Sequence, residues 1–230
     1  MNTKITPQTV QCVIFDCDGV LVDSEILANR TALDKLRPYG FTMPQEEYGR
    51  LFAGKIEEDI LHIVVEEYGI DLPDDFNVHL RQAIDHRLDH ELKPVSGMKE
   101  LVAEVTLPRA VVSNSKLARV TASLKVAELA DAFGDHVYAV DLVDNPKPAP
   151  DLYLYAARQL GVEPAACLVV EDSGSGVTAA HRAGMPVIGF LAASHIPPGH
   201  ADTLMQAGAY TTAATAAELT ERLRTAKVIR

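Results

Sequence analysis

VIFDCDGVLVDSE, residues 13–25, places Asp16, Asp18 and Gly19 directly behind an apolar run. Side chains of an extended segment alternate faces, so residues two apart point the same way. Asp16 and Asp18 therefore converge. Like charges about 4 Å apart repel by roughly 4 kcal/mol at an effective dielectric near 20. A positive partner is expected there. The run QCVIF before the two acids reads as a buried strand whose end delivers them.

Outward from this stretch the chain has two textures. From Ser24 to about Leu92 the pattern is helical: Ile60, Leu61, Val64, Val65 and Tyr68 recur at three- and four-residue steps among acidic residues. Breaks are predicted near Pro38–Gly40, Ala53–Gly54 and Gly69–Pro73. From about Pro94 short apolar runs alternate with amphipathic helices: RAVVS then KLARVTASLKVAEL, HVYAV then PDLYLYAARQL, CLVV then SGVTAAHRAG, and PVIGF then AAELTERLRTA. Such alternation predicts βαβ units, a parallel sheet covered by helices on both faces. QCVIF belongs to that sheet, so the helical block is an insertion. The expected organisation is a doubly wound α/β core, residues 1–19 and 93–230, interrupted by a helical domain at 20–92.

Composition narrows the class. A chain of 230 residues that is 47% hydrophobic can bury a sizeable core, and its net charge of −11 argues against a nucleic-acid or anionic-membrane surface. No apolar run reaches the ~20 residues of a membrane span, and the first residues lack the apolar centre of a signal peptide. A cytoplasmic location is expected, and oligomeric state is not readable. The three cysteines, Cys12, Cys17 and Cys167, lack metal-type spacing and read as small core residues. The eight histidines, His195 and His200 among them, show no ligand spacing and read as surface or core residues.

In open α/β sheets ligands bind beyond the carboxyl ends of the strands. There the sequence places Asp16 and Asp18 after QCVIF, Ser113 and Asn114 after RAVV, Lys147 after HVYAV and a short loop, and Glu171 with Asp172 after CLVV. Four carboxylates on one rim require a cation, and an all-oxygen ligand set favours Mg2+, held by Asp16, Asp172 and Glu171. Lys147, in the stiff segment NPKPAP, is the second positive charge. An aspartate can attack phosphorus and form an aspartyl-phosphate; the cation and Lys147 would neutralise the transferring oxygens. Ser113, Asn114 and nearby backbone N–H groups would hold the remaining oxygens. Asp18, kept off the cation through its side chain, would carry a proton to the leaving alkoxide. Gly19 suits a turn where a Cβ would collide or φ is positive. Asp23 and Ser24 read as the N-cap region of the first inserted helix.

FDCDGVLVDSE, VVSNS, NPKPAPDLY and VVEDSGSGVTAAHRAGM, in this order and with a helical insertion after the first, resemble the four motifs of the haloacid dehalogenase-like hydrolases. More narrowly they resemble the branch containing β-phosphoglucomutase, phosphoglycolate phosphatase and bacterial sugar-phosphate phosphatases. The resemblance implies a sheet of order 3-2-1-4-5 under a helical cap. It implies Asp16 as nucleophile, and Asp18 as general acid/base that also offers its backbone carbonyl to magnesium. It further implies Ser113 as phosphate-binding hydroxyl, Lys147 as charge-stabilising lysine, Glu171 and Asp172 as metal-binding acids, and Asn114 as a phosphate or substrate contact. Asp18 counts against dehalogenation, whose enzymes lack that second aspartate. Ala28, where the phosphomutases carry a histidine, and Glu57, where their cap loop after Gly54 carries an arginine, count against mutase activity. Lys55 is placed to meet an anionic substrate group from the cap. The expected activity is a magnesium-dependent phosphatase for a small phosphorylated metabolite, a sugar or sugar-acid phosphate. A phosphomutase and a non-catalytic binding or regulatory protein on the same fold are the alternatives.

Overall fold

The computed structural model of the protein describes residues 10–52, 55 and 57–229. The signal-peptide reading of the first nine residues and the break at Ala53–Gly54 lie outside these residues. The chain divides into two compact units, 1–23 with 93–230, and 24–92.

The first unit is built on six parallel strands: β1 (Cys12–Phe15), β2 (Arg109–Ser113), β3 (Val137–Ala139), β4 (Cys167–Glu171), β5 (Val187–Phe190) and β6 (Thr211–Ala213), in the order β3-β2-β1-β4-β5-β6. Its helices are α5 (Met98–Glu104), α6 (Leu117–Val126), α7 (Ala130–Phe133), α8 (Asp151–Leu160), α9 (Gly174–Arg182), α10 (His200–Ala207) and α11 (Ala216–Thr225). The strands β1 and β4 are buried along their whole length, which is why they read as unbroken apolar runs instead of alternating ones. Cys12, Ile14, Val112 and Val169 pack with Tyr153, Ala156 and Val177 of α8 and α9 in one cluster. Phe15 has the opposite parity and meets Phe133 of α7 edge to face at 6.0 Å. Burying each such large side chain contributes about 1.5–3 kcal/mol. The three cysteines are free and buried.

The sheet exceeds the expected order by one strand. Its edge strand β6 has only three residues, Thr-Thr-Ala, followed by an alanine-rich helix start. No apolar run marks it. It forms because Ile188, Gly189 and Phe190 of β5 offer an open ladder to Thr211, Thr212 and Ala213. The helix α10, between β5 and β6, was also absent from the sequence reading.

The second unit is helical throughout: α1 (Ser24–Leu36), a 3-10 turn (Arg37–Tyr39), α2 (Gln45–Phe52), α3 (Glu57–Glu66) and α4 (Phe76–Glu91). It has its own core, in which Leu33, Leu36, Phe41, Tyr48, Phe52, Val64 and Leu80 are buried together. Edge-to-face pairs of Phe41 with Tyr48 and Tyr68, at 6.3 and 5.1 Å, tie α2 to the segments beside it.

Candidate active site

The carboxyl ends of β1, β2 and β4 bring together most of the residues singled out from the sequence. The Asp16 N–H donates to Val170 O at 2.9 Å, one step beyond β1, so the residue is held as if the strand continued. The chain then turns: Leu21 N and Val22 N both donate to Cys17 O, and Gly19 N donates to Val22 O. Gly19 has φ +81°, and a Cβ there would lie 1.9 Å from Oδ2 of Asp172. The glycine is required twice over, by its backbone angle and by the carboxylate that occupies its side-chain space.

Lys147 is the positive partner expected between the acids. Its Nζ donates to Asp16 Oδ1 at 2.5 Å, Glu171 Oε1 at 2.8 Å and Val112 O at 3.0 Å, all buried. It lies 5.0 Å from the centroid of the Tyr153 ring. Burial opposes the ammonium, but Asp16, Glu171 and Tyr153 outweigh it and hold the Lys147 pKa well above the ordinary lysine value. For Asp16 burial dominates and pushes the carboxyl well above the usual range; Lys147 opposes this, while Glu171, Asp172 and Asp18 add to it. The centre holds more negative charge than its single ammonium balances.

Glu171, the last residue of β4, is saturated. Besides Lys147, its Oε1 accepts from Tyr153 OH at 3.3 Å, and its Oε2 accepts from the N–H and hydroxyl of Ser173 at 2.8 and 3.0 Å. Ser173 also caps α9 by accepting from Gly176 N. A Cβ on Gly176 would lie 1.5 Å from Glu171 Oε1, so the glycine makes room for this acid at the helix start.

Asp18 turns to a different set of partners. Its Oδ2 accepts from the hydroxyls of Ser113 at 3.2 Å and Ser115 at 2.9 Å, and Ser113 Oγ in turn accepts from Ser115 N. Asn114 forms a two-way latch: its Nδ2 donates to Lys147 O at 3.1 Å and its Oδ1 accepts from Lys147 N at 2.9 Å. Its amide is thus engaged by the backbone of the lysine through one N–H and its carbonyl oxygen, while Nδ2 carries a second N–H. Asp23 immediately precedes α1, yet its carboxylate accepts from the N–H and hydroxyl of Ser194 in the loop after β5. It fastens that loop from the position just before the helix. Lys55 belongs to the helical unit, exposed between α2 and α3.

Sequence reasoning missed Tyr153, Ser115 and His195. Nothing in PDLYLYAA separates Tyr153, which reaches Glu171, from Tyr155 two residues on. His195, from the β5 loop, brings Nε2 to 3.3 Å from Asp172 Oδ2.

Ligand atoms of Asp16, Glu171 and Asp172 lie within 4.8 Å of one another. An all-carboxylate donor set in a region short of positive charge suits a hard divalent cation such as Mg2+.

A parallel sheet of this order with a lysine-bridged acidic rim at its central strand ends defines an α/β enzyme of the doubly wound kind. The sequence matches the haloacid dehalogenase-like hydrolase family over residues 13–190, and the chain belongs to that family of hydrolases. It is 33% identical over 190 residues to 6-phosphogluconate phosphatase of Escherichia coli K12, covering 82% of this chain and 86% of that one. A solved haloacid dehalogenase-like protein of Agrobacterium tumefaciens C58 is 40% identical with TM-score 0.87, covering 94% of this chain and 98% of that one. A family hydrolase of Deinococcus radiodurans R1, solved with bound phosphate and sodium, is 30% identical with TM-score 0.85, covering 96% and 98%. No helix of the described residues is long and apolar enough to cross a membrane.

Proposed function

We propose that the protein is a magnesium-dependent phosphatase that hydrolyses a small sugar or sugar-acid phosphate through an aspartyl-phosphate on Asp16. The observation that carries this reading is the buried ammonium of Lys147 spanning Asp16 and Glu171, with Asp172 in the same cluster. One oxygen of Asp16 is held by the lysine, which aims the carboxylate and leaves the other oxygen for in-line attack on phosphorus. Glu171 already accepts from four donors. It therefore serves chiefly to hold Lys147, while Asp16 and Asp172 are the direct side-chain ligands of the cation. Bound there, Mg2+ would neutralise charge on the phosphoryl oxygens.

Ser113 and backbone N–H groups of the loop before α6 would receive the remaining oxygens. Asn114 would offer its second Nδ2–H to a phosphoryl oxygen or the substrate, held in place by its latch on the Lys147 backbone. Asp18 would give its proton to the leaving alkoxide and later take one from the water that cleaves the acyl-phosphate. The helical unit, 24–92, would act as a cap that excludes water during transfer, with Lys55 meeting an anionic substrate group. A sugar-acid or sugar phosphate is supported by relatives named 6-phosphogluconate phosphatase and hexitol phosphatase B.

The test is inorganic phosphate release across a panel of phosphorylated metabolites, with Mg2+ and with a chelator. Release from sugar or sugar-acid phosphates that the chelator abolishes is expected. Turnover indifferent to chelation would remove the cation from the reading, and movement of the phosphoryl group between sugar positions without release would favour a phosphomutase. For Asp18→Asn the expected deficit is about 10²–10⁴-fold on alkyl phosphates and clearly smaller on p-nitrophenyl phosphate, whose leaving group needs little protonation. Equal deficits on both substrates would argue against the proton role.

A further inference from the structure

The histidine that the sequence reading set aside stands against one of the acids of the cluster. Nε2 of His195 lies 3.3 Å from Oδ2 of Asp172, with both side chains largely buried. The same residue is held at its backbone, because Nε2 of His200 at the start of α10 lies 2.6 Å from Asp172 O. His195 does not reach this position by chance of a loose loop. The residue before it, Ser194, gives both its N–H and its hydroxyl to Asp23, and Ile196 N closes a turn onto Ala193 O at 3.2 Å. Gly19 completes the seat. A Cβ there would lie 1.9 Å from Asp172 Oδ2 and 3.0 Å from His195 Cε1, so both side chains lie over the space a side chain would fill.

A carboxylate on a single rotatable stem can present either oxygen to a ligand. Tying one oxygen to a fixed donor removes that freedom, which is how groups behind metal ligands commonly act. We propose that His195 is a positioning residue for the cation: its Nε2–H holds Oδ2 of Asp172 and so presents the other oxygen to the ion, while Asp23 holds the loop that carries His195. This rests on the reading that Asp16 and Asp172 hold a divalent cation. It assigns a purpose to the second half of VIFDCDGVLVDSE: Asp16 supplies a ligand and Asp23 fixes the partner of another one.

The experiment measures Mn2+ binding to the full chain by the paramagnetic signal of the free ion, without substrate. His195→Ala is expected to weaken Mn2+ binding by about ten- to a hundredfold. His195→Gln, whose amide N–H can take the place of Nε2–H, should return it to within a few-fold of the parent. Asp23→Ala should weaken binding in the same direction, by less. Asp172→Asn is the control for the underlying reading and should lose binding. If His195→Ala binds Mn2+ within twofold of the parent while Asp172→Asn loses it, the positioning role is overturned and the cation site stands. If Asp172→Asn also binds as the parent does, the cation reading fails and takes this inference with it. A purely structural histidine would lower thermal stability in all three loop variants without moving the Mn2+ constant, which also overturns the proposal. Should His195→Ala not fold, Asp23→Ala and His195→Gln decide by the same constant: parent-like binding in Asp23→Ala, or His195→Gln weakened as strongly as a complete loss of the contact, refutes the role.

Discussion

Replacing Asp16 by asparagine is expected to lower phosphate release by at least about 10⁴-fold, measured with any substrate the screen identifies. The amide oxygen can still accept from Lys147 Nζ, so the contact that spans Asp16 and Lys147 at 2.5 Å survives in form. What disappears is the oxygen proposed to attack phosphorus, and with it the charge of the carboxylate. Burial and the neighbouring charges of Glu171, Asp172 and Asp18 all disfavour ionised Asp16. Removing the charge should therefore leave the metal-free fold at least as stable as the parent, the usual trade of stability for activity at such centres. Thermal unfolding in the presence of a chelator measures this. A variant that folds and turns over at the parent rate would show that another group attacks phosphorus.

Lys147→Met should be damaging in two ways. Rate should fall by about 10³-fold, since the charge proposed to stabilise the transferring group is lost from a buried site. Stability should also fall, because Asp16 and Glu171 are left buried without their shared ammonium; breaking a buried ion pair in this way typically costs about 3–5 kcal/mol. The stability deficit should depend on pH. A carboxyl whose pKa is raised on folding gives its full contribution below its unfolded value and loses it as pH climbs through the folded value. Lys147 is the group that restrains the rise at Asp16. Without it the chelated variant should be least stable at neutral and alkaline pH and recover toward pH 5. Urea unfolding at pH 5 and pH 8 reads the difference, and a deficit that is equal at both would mean that the lysine does not act on the carboxylates.

Much of this centre was legible because its parts sit at the ends of short apolar runs. Asp16, Lys147, Glu171 and Asp172 come together because β1 and β4 are neighbours and the NPKPAP loop follows β3. The parallel α/β arrangement followed from the same alternation of runs. The edge strand β6 did not, since three small residues carry no periodic signal and pair only because β5 presents an open ladder. Nor did the partners of the side chains. Asn114 binds the backbone of Lys147, 33 residues away, a partner that no spacing announced. Asp23, which reads as part of a helix N-cap region and does precede the helix that starts at Ser24, binds Ser194 across 171 residues.

By itself the sequence determined which chemical groups the protein has and at which strand ends they emerge, because burial and chain periodicity are local properties written along the chain. Only the tertiary structure decided which group each of them holds: Lys147 between Asp16 and Glu171, Ser113 and Ser115 on Asp18, and His195 on Asp172. A hydrogen bond or ion pair depends on positions in space to within a fraction of an ångström. For residues distant along the chain those positions are set by packing of the whole sheet and its loops.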